Sequence, residues 1–419
     1  MLRSNYKFWG FITMTFLSYG LFYIILPSTW LWQNIRFTNP ANEFFLLTVF
    51  ILLFNLIIYL LAYKTLDFNK VNYKRLFLCF AFINLFLILL RPVTSTDLFS
   101  YIYQGRIFSV HHLNPYLISY NQVPQDIFYK WLSNKWTATT APYGPLFMLI
   151  AGGLSFIGQK SLILSVLLFK ALFIGANIMV GYLIYKLTNL KTFFLYAFNP
   201  LIIFEFAING HNDILAILLV ILSFYFVLQK ADSNKNHLIA FGFLILSSLI
   251  KYITLIFWPI FWLIAIYQQK ESRNRWVFAG LSIILAGILT ITFYLPFLGD
   301  WAIIWQPFIK QARLTGIYSI FILLASKTIS QTLFFVSYLT TAILVLINRH
   351  KLTWPKSLGY FIWPLTLFYL TFFTWLMPWY FTLLIALLIL ATWLSNKRIY
   401  EYLIYSFTFY GIIYYIVLR

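Results

Sequence analysis

The sequence predicts an all-α polytopic membrane protein. Of its 419 residues, 62% are hydrophobic and only 10% are charged, and the mean hydropathy is +0.83. A soluble domain carries roughly 25% charged residues, so this chain has too little polar surface for water. Its long apolar runs are joined by short basic loops, the pattern of helices that cross a bilayer. The single cysteine, Cys79, lies in an apolar run, which excludes a disulfide framework.

The net charge of +20 arises from 30 Lys and Arg against 10 Asp and Glu. Basic loops on the inner side of a membrane and contact with anionic lipid account for part of this excess. An anionic substrate is a further explanation. Nucleic acid is not expected as a partner, because the basic residues are scattered over short loops. The basic start at Arg3 and Lys7 leads directly into the first apolar run, so no cleavable signal is predicted.

Apolar runs that can cross about 30 Å of hydrocarbon predict about thirteen spans. They are Phe8–Leu26, Phe44–Tyr63, Leu76–Leu90, Leu162–Lys186, Thr192–Ile208, Ile214–Leu228, Leu238–Ile250, Ile253–Tyr267, Trp276–Leu298, Leu333–Ile347, Leu358–Leu376, Trp379–Leu394 and Tyr402–Leu418.

The charges of the loops orient these spans. The basic loop 64–75 is predicted to be inside, which also places the N-terminus inside and the C-terminus outside. The apolar stretch Leu146–Ile157 is ambiguous, because a crossing there would put the basic loops 270–275 and 349–356 outside. The charge rule therefore favours a helix lying on the outer membrane surface, and the same is predicted for Leu98–Val110.

Three regions follow from this topology: N-terminal transmembrane helices over residues 1–90, an outer loop over 91–161, and a transmembrane core over 162–419. The core contains a second outer loop, 299–316, with Asp300 near its start. A polar connection as long as the first loop is unusual, and such loops carry function or are disordered. The first loop is rich in Tyr, Trp and Pro, so a folded and functional segment is expected.

Polar residues that are rare in membrane spans collect on the predicted outer side, although only loop charges were used to orient the chain. They are Asp97, Arg106, Glu205, His211, Asn212, Asp213, Lys251, Trp379 and Tyr380. Each also has an ordinary structural explanation: the two aspartates could cap helices, the histidine could be a hydrogen-bonded core residue, the lysine could reach the headgroups, and the aromatic pair could sit at the interface. Carboxylates and a lysine at membrane depth nevertheless favour a functional site.

No metal or other cofactor is predicted. His211 and Asp213 are two residues apart, and His111 and His112 are adjacent. Neither pair has the i, i+4 spacing of two metal ligands on one helix face.

The order of these motifs resembles the GT-C superfamily of membrane-embedded glycosyltransferases, and most of all the bacterial polyprenyl-phosphate-mannose-dependent mannosyltransferases. The resemblance extends over most of the chain from Arg91 onward. Its motifs are Thr96-Asp97, Tyr101, Gly105-Arg106, Asn114-Pro115-Tyr116, Tyr143-Gly144-Pro145-Leu146, Asn199-Pro200, Glu205, Gly210-His211-Asn212-Asp213, Leu249-Ile250-Lys251-Tyr252 and Pro378-Trp379-Tyr380. In one respect the chain departs from many relatives, which carry two adjacent acids in the first loop where this chain has a single acid after Thr96.

The resemblance implies transfer of a sugar, with mannose the first expectation, from a polyprenyl-phosphate donor to a hydroxyl of a glycolipid or cell-envelope glycan. The reaction would invert the anomeric carbon on the outer face of the cell membrane. Asp97 is then the expected general base, and Lys251, Arg106 and His211 are the expected cations for the donor phosphate. The residues expected to contact the sugar or the acceptor are Tyr101, Asn114, Tyr116, Tyr143, Glu205, Asn212, Asp213, Trp379 and Tyr380.

The alternative function is a membrane transporter or a flippase of lipid-linked glycans. Such proteins place paired helix breaks in two related halves. Pro200 and Pro259 are potential breaks, but the sequence has no matching halves. A long outer loop with an acid near its start also fits a transporter less well than it fits a transferase.

Overall fold

The computed structural model describes residues 2–25, 42–229, 234–269, 271–299, 322, 326–395 and 397–417, and no β-strand occurs among them. The all-α prediction is therefore confirmed for these residues. The predicted second outer loop lies, from Asp300 onward, outside the described residues.

Helices of the first half begin and end close to the predicted apolar runs. They are α1 Leu2–Ile25, α2 Asn42–Thr65, α3 Tyr73–Phe86, α4 Asp97–Ser109, α5 Pro145–Gly158, α6 Leu162–Leu187, α7 Leu190–Ala197, α8 Pro200–Ile203 and α9 Asp213–Gln229. A 3₁₀ turn, Leu87–Leu89, follows α3, and a π-helical turn, Phe204–Asn209, follows α8.

The second half continues with α10 Asn234–Ser248, α11 Trp258–Gln268, α12 Ser272–Tyr294, α13 Lys327–Ile347, α14 Trp354–Ser357, α15 Gly359–Leu367, α16 Phe381–Ser395 and α17 Arg398–Val417. Shorter helical turns extend four of these helices: Tyr252–Phe257 leads into α11, Leu295–Phe297 follows α12, Phe368–Phe372 follows α15, and Pro378–Tyr380 leads into α16.

Six of the described helices are long and apolar enough to cross a membrane, or up to seven if α7 and the segment Pro200–Asn209 form one broken span. These two segments meet at an angle of 52°. The break has a local cause: Pro200 stands at the first helical position, and the Asn199 side chain accepts from the backbone N–H groups of Leu201 and Ile202. The number of thirteen spans stays a prediction.

Two helices lie where surface helices were predicted, at Asp97–Ser109 and Pro145–Gly158. The two helices pack closely, because a Cβ atom at Gly105 would collide with the backbone of Ala151 and the side chain of Ser155. Ser155 Oγ also donates to the carbonyl of Ile102 at 2.9 Å. Their position relative to a bilayer remains a prediction.

The fold divides into two compact units, of which the first comprises residues 1–141, 148–214 and 404–419. Inside it, the buried Lys170 donates to the carbonyl oxygens of Leu87 at 2.9 Å and Leu90 at 2.5 Å. These carbonyls end the helical segment before the outer loop, so the lysine fixes the point from which the chain runs on to Asp97. Asn199 donates to Thr408 at 2.7 Å and ties the helix break to α17.

The second unit comprises residues 142–147 and 215–403. Gly144 lies directly against the backbone of Leu249, where any Cβ atom would collide, and its N–H donates to the Ile250 carbonyl at 3.0 Å. His237 is fully buried in the same unit and lies within hydrogen-bond distance of Gln269 and Trp354.

Candidate active site

The first residue of α4 is Asp97, and Thr96 occupies the N-cap position without a side-chain capping bond. The Ser95 hydroxyl accepts from the Asp97 N–H at 3.1 Å. A carboxylate in the first helical turn is stabilised by the helix dipole. The Asp97 side chain is 22% exposed, so it is held in place and still open to a substrate.

A second polar segment follows the helix break. The π-helical turn ends at Gly210, whose φ of +74° is a left-handed conformation that favours glycine. The His211 N–H donates to the Glu205 carbonyl at 3.1 Å across this turn. The wide turn and the left-handed residue together bring His211 back toward Glu205. π-helical turns of this kind are frequent at functional sites.

Asp97, Glu205 and His211 form one cluster, here called the acid–histidine cluster. His211 Nε2 lies 3.3 Å from Glu205 Oε2, and His211 Nδ1 lies 3.7 Å from Asp97 Oδ2. The side chains of His211 and Glu205 are fully buried. The imidazole therefore stands between two carboxylates, one of them buried and the other partly open.

Glu205 is engaged on both of its carboxylate oxygens. The Tyr415 hydroxyl donates to Oε1, and Asn209 Nδ2 donates to Oε2 at 3.0 Å. The same Asn209 side chain reaches the segment before α4: its oxygen accepts from the N–H groups of Val93 and Thr94 at 3.1 and 3.2 Å. Asn209 thus joins the start of the outer loop to the buried acid.

Sequence reasoning assigned no role to Asn209 or to Tyr415. Asn209 immediately precedes the predicted motif Gly210-His211, and this position could have indicated that it belongs to the site. Tyr415 is one of 30 tyrosines and lies 210 residues from Glu205, so nothing local distinguishes it.

Three further predicted residues, Tyr101, Asn212 and Asp213, lie beside the cluster. The Tyr101 hydroxyl donates to Asn212 Oδ1 at 3.3 Å, one helical turn beyond Asp97. Asp213 is buried and is the first residue of α9.

Arg106 lies at the other end of α4, in a second cluster here called the loop clasp. Its guanidinium contacts Asp126 through Nε at 2.8 and 3.0 Å and through Nη2 at 2.8 Å, and His111 Nε2 lies 2.6 Å from the same carboxylate. Burial acts to raise the pKa of the Asp126 carboxyl, but hydrogen bonds from Arg106 and His111 outweigh burial and hold the pKa below its usual value. Arg106 is thus already paired with an acid and fixes the loop to α4.

Asn114 and Tyr116 form a turn of the outer loop. Asn114 Oδ1 accepts from the Tyr116 N–H at 3.0 Å, and the Tyr116 side chain is fully buried. Both residues thus help to shape the outer loop, and their contact with a sugar or acceptor stays a prediction.

The remaining predicted residues belong to the second unit. Lys251 is buried, with its ammonium 4.6 Å from the centre of the Tyr380 ring. Trp379 is buried beside Tyr380, with their ring centres 5.9 Å apart. The Tyr143 carbonyl accepts from the hydroxyl of Tyr252, the residue after Lys251, at 3.2 Å.

A cavity of about 250 Å³ opens beside Lys251. Its lining combines this cation and Gln331 with a group of aromatic side chains, among them Phe368, Phe372 and Tyr380. The cavity therefore offers one positive charge at the edge of a largely apolar space, a combination that suits an anionic headgroup on an apolar chain.

Among the described residues, no group of three or more His, Cys, Asp and Glu side chains is arranged to hold a metal ion.

Comparison with known proteins places the chain in a family. The profile of the alpha-(1->6)-mannopyranosyltransferase family, N-terminal domain, matches residues 8–267. This range contains the whole acid–histidine cluster and Lys251, but not Tyr415, which bonds to Glu205. No solved structure matches the chain significantly.

Two mycobacterial relatives agree with this assignment. A probable alpha-(1->6)-mannopyranosyltransferase of Mycolicibacterium smegmatis is 26% identical over 160 residues, which are 36% of this chain and 28% of the relative. An alpha-(1->6)-mannopyranosyltransferase of Mycobacterium tuberculosis is 26% identical over 158 residues, 35% of this chain and 26% of the relative. The alignments thus span about a quarter of each curated relative. The family profile covers more than half of the chain, and the chain belongs to the alpha-(1->6)-mannopyranosyltransferase family.

Proposed function

We propose that the protein is an integral-membrane mannosyltransferase of the GT-C type. It moves mannose from a polyprenyl-phosphate donor to a hydroxyl of a glycolipid or cell-envelope glycan on the outer membrane face, with inversion of the anomeric carbon. The observation that carries the proposal is the acid–histidine cluster, in which a partly exposed carboxylate is backed by a buried histidine and a second buried carboxylate. Membership of a mannosyltransferase family supports the choice of mannose.

Asp97 is the general base of the proposed reaction. As the acceptor oxygen attacks the anomeric carbon, its proton passes to the Asp97 carboxylate. The bond between the anomeric carbon and the phosphate oxygen breaks, and its electron pair leaves with the lipid phosphate. Before the reaction, Asp97 and the phosphodiester each carry one negative charge. Afterwards Asp97 is protonated and neutral, and the released lipid phosphate carries two negative charges. One displacement of this kind inverts the configuration, so a single carboxylate suffices.

His211 and Glu205 are positioning residues in this scheme. The buried imidazole lies between the two acid side chains, 3.7 Å from Asp97 Oδ2 and 3.3 Å from Glu205 Oε2, and so limits the positions that the Asp97 side chain can take. The sequence suggested His211 as a phosphate ligand and Glu205 as a sugar contact. Two acids beside His211 disfavour a bound phosphate there, and Glu205 has both oxygens engaged within the protein.

Lys251 is the proposed cation for the donor phosphate. The leaving lipid phosphate gains negative charge, and a buried ammonium stabilises that charge without donating a proton. The aromatic lining of the adjacent cavity suits the first isoprene units of the lipid. Arg106 receives no role at the phosphate, because Asp126 already neutralises it. Tyr143, Trp379 and Tyr380 stay candidates for sugar or lipid contact.

The direct test incubates the purified protein with a panel of polyprenyl-phosphate sugars and an α-mannoside acceptor. Release of lipid phosphate is followed, with an Asp97→Asn variant as the inactive control and Asp67→Asn, a change at an exposed surface ion pair, as the matched active control. We expect acceptor-dependent release from the mannosyl donor. A protein that moves lipid-linked glycans between leaflets of vesicles without cleaving any donor would instead support the transporter alternative.

A further inference from the structure

Helix α4 carries a stripe of polar side chains that extends from Asp97 into the protein. Asp97, Tyr101 and Gln104 occupy positions i, i+4 and i+7 and therefore share one face of the helix. Gly105, the residue after Gln104, packs against Ala151 and Ser155 of α5. Gln104 thus lies roughly 10 Å along the helix axis from the proposed base.

Gln104 of this stripe and the neighbouring Asn212 each have one buried amide atom without a hydrogen-bond partner among the described residues. Gln104 is 1% exposed and Asn212 is fully buried. In the part of the chain that the structure describes, neither Gln104 Oε1 nor Asn212 Nδ2 has a hydrogen-bond partner. The other amide atoms of both side chains are bonded: Gln104 Nε2 to the Tyr120 hydroxyl, and Asn212 Oδ1 to the Tyr101 hydroxyl.

These bonds fix the orientation of both amides. Tyr103 holds the Tyr120 segment by donating to the carbonyls of Tyr120 at 3.4 Å and Val123 at 2.5 Å. Asn212 is held by Tyr101 and by its position directly after His211. The amide atoms without partners are therefore presented by rigid neighbours, which is how a binding site is preorganised.

Tyr120 connects this pair of amides to the proposed base. Burial raises the pKa of the Tyr120 hydroxyl, hydrogen bonds with Gln104 and Thr139 lower it, and the Asp97 charge raises it further. The Asp97 charge thus acts on the same hydroxyl that contacts Gln104. Asp97, Gln104 and Tyr120 belong to one neighbourhood, with Asn212 attached to it through Tyr101.

Leaving a buried amide donor and a buried amide acceptor unpaired is costly, and native proteins keep few such groups. A hydroxyl can both accept and donate, so neighbouring hydroxyls of a pyranose ring complement this pair. We propose that Gln104 and Asn212 form a sugar-hydroxyl subsite that recognises a pyranose ring next to Asp97. The subsite rests on the proposed function, because Asp97 acts on a hydroxyl of such a ring.

A site built to bond a hydroxyl discriminates strongly against a sugar that lacks it, because its own polar groups are then left unpaired. The experiment therefore compares the parent sugars with single-deoxy analogues. One arm varies the mannosyl donor (2-, 3-, 4- and 6-deoxy) and the other varies an octyl α-mannoside acceptor, so that the arms identify which ring the subsite holds. Turnover and binding affinity are both measured.

For at least one deoxy sugar, the turnover or the binding affinity of the wild-type protein should be on the order of tenfold to a hundredfold lower than for the parent sugar. With the parent sugar, the turnover or affinity of Gln104→Leu and Asn212→Leu should fall by a similar factor. With that deoxy sugar the two variants should show little further decrease, because the substitution and the missing hydroxyl remove the same interaction. Ser109→Ala on the same helix, which removes only a bond to the Gly105 carbonyl, should keep the wild-type discrimination.

Equal use of all deoxy sugars by the wild type would overturn the subsite. The subsite would also be overturned if both leucine variants discriminated between the parent and deoxy sugars as the wild type does. That result is expected if the two amides bind only ordered water. The comparison within the wild type needs no variant to fold. If no mannosyl donor is turned over, the proposed function fails, and the affinities of the deoxy series still decide the subsite.

Discussion

Replacing Asp126 with alanine is expected to open the outer loop locally. The Asp126 carboxylate contacts the Arg106 guanidinium at 2.8 to 3.0 Å and His111 Nε2 at 2.6 Å, and it accepts from the Phe128 N–H at 2.8 Å. The side chains of Arg106 and Asp126 are 6% and 0% exposed, so the substitution leaves a buried arginine without its counter-charge. Breaking a buried pair in this way costs about 3–5 kcal/mol.

A loss of stability of this size should cause a measurable increase in the rate of amide hydrogen exchange. Each 1.4 kcal/mol is a factor of ten, so exchange in peptides covering residues 111–131 should become about a hundredfold to several-thousandfold faster. The measurement is hydrogen exchange by mass spectrometry on the detergent-purified protein at pH 7. Asp67→Ala is the matched control, because its ion pair with Lys70 is exposed and such pairs contribute about 0–1 kcal/mol.

The pH dependence of hydrogen exchange in the loop is a second measurement of the loop clasp. The pKa of Asp126 is lowered in the folded protein from an ordinary value of 3.8. Its stabilisation is therefore fully present above that ordinary value and is lost as the pH falls through the lower folded-state value. Protection of the loop should drop in this acid range, and the drop should be absent from Asp126→Asn. Exchange in Asp126→Ala that rises no more than in the control would refute the clasp.

Three further predictions concern the site and the topology. Lys251→Ala should weaken binding of the lipid-phosphate donor and Lys251→Arg should restore only part of it, because the two cations differ in shape and reach; unchanged donor affinity in a folded variant would exclude the phosphate role. His211→Gln should lower turnover about tenfold to a hundredfold while donor affinity stays the same, and a selective loss of donor affinity would return His211 to the phosphate. With Cys79 replaced, a cysteine at the exposed Gln125 should react with an impermeant reagent in intact cells, whereas one at the exposed Ser272 should not; labelling of the second site would overturn the topology.

Helix positions could be predicted from the sequence, because an apolar run long enough to cross a bilayer has few alternatives to an α-helix. The number of crossings could not be settled in the same way. The break at Asn199-Pro200 and the π-helical turn after α8 divide one apolar run into pieces, and a mean hydropathy does not distinguish a broken span from a continuous one.

The polar residues of the candidate site could be recognised from the sequence, because charges in apolar segments are rare. Their partners could not. Arg106 was expected at a phosphate, and its pairing with Asp126 depends on how the loop folds back on α4. Tertiary packing decides the contact of Glu205 with Tyr415 and leaves the buried Oε1 atom of Gln104 without a hydrogen-bond partner among the described residues. Residue type and spacing do not reveal either feature.

The central claim, that Asp97 is the catalytic base, is tested most directly by Asp97→Asn. Asparagine keeps the size of the side chain and leaves the backbone bond from residue 97 to Ser95 in place, but it does not accept the proton of the acceptor hydroxyl. We expect turnover to fall about a hundredfold to ten-thousandfold, the usual contribution of a positioned base, while donor affinity is unchanged. A variant that folds, binds the donor and still transfers sugar at the wild-type rate would contradict the assignment.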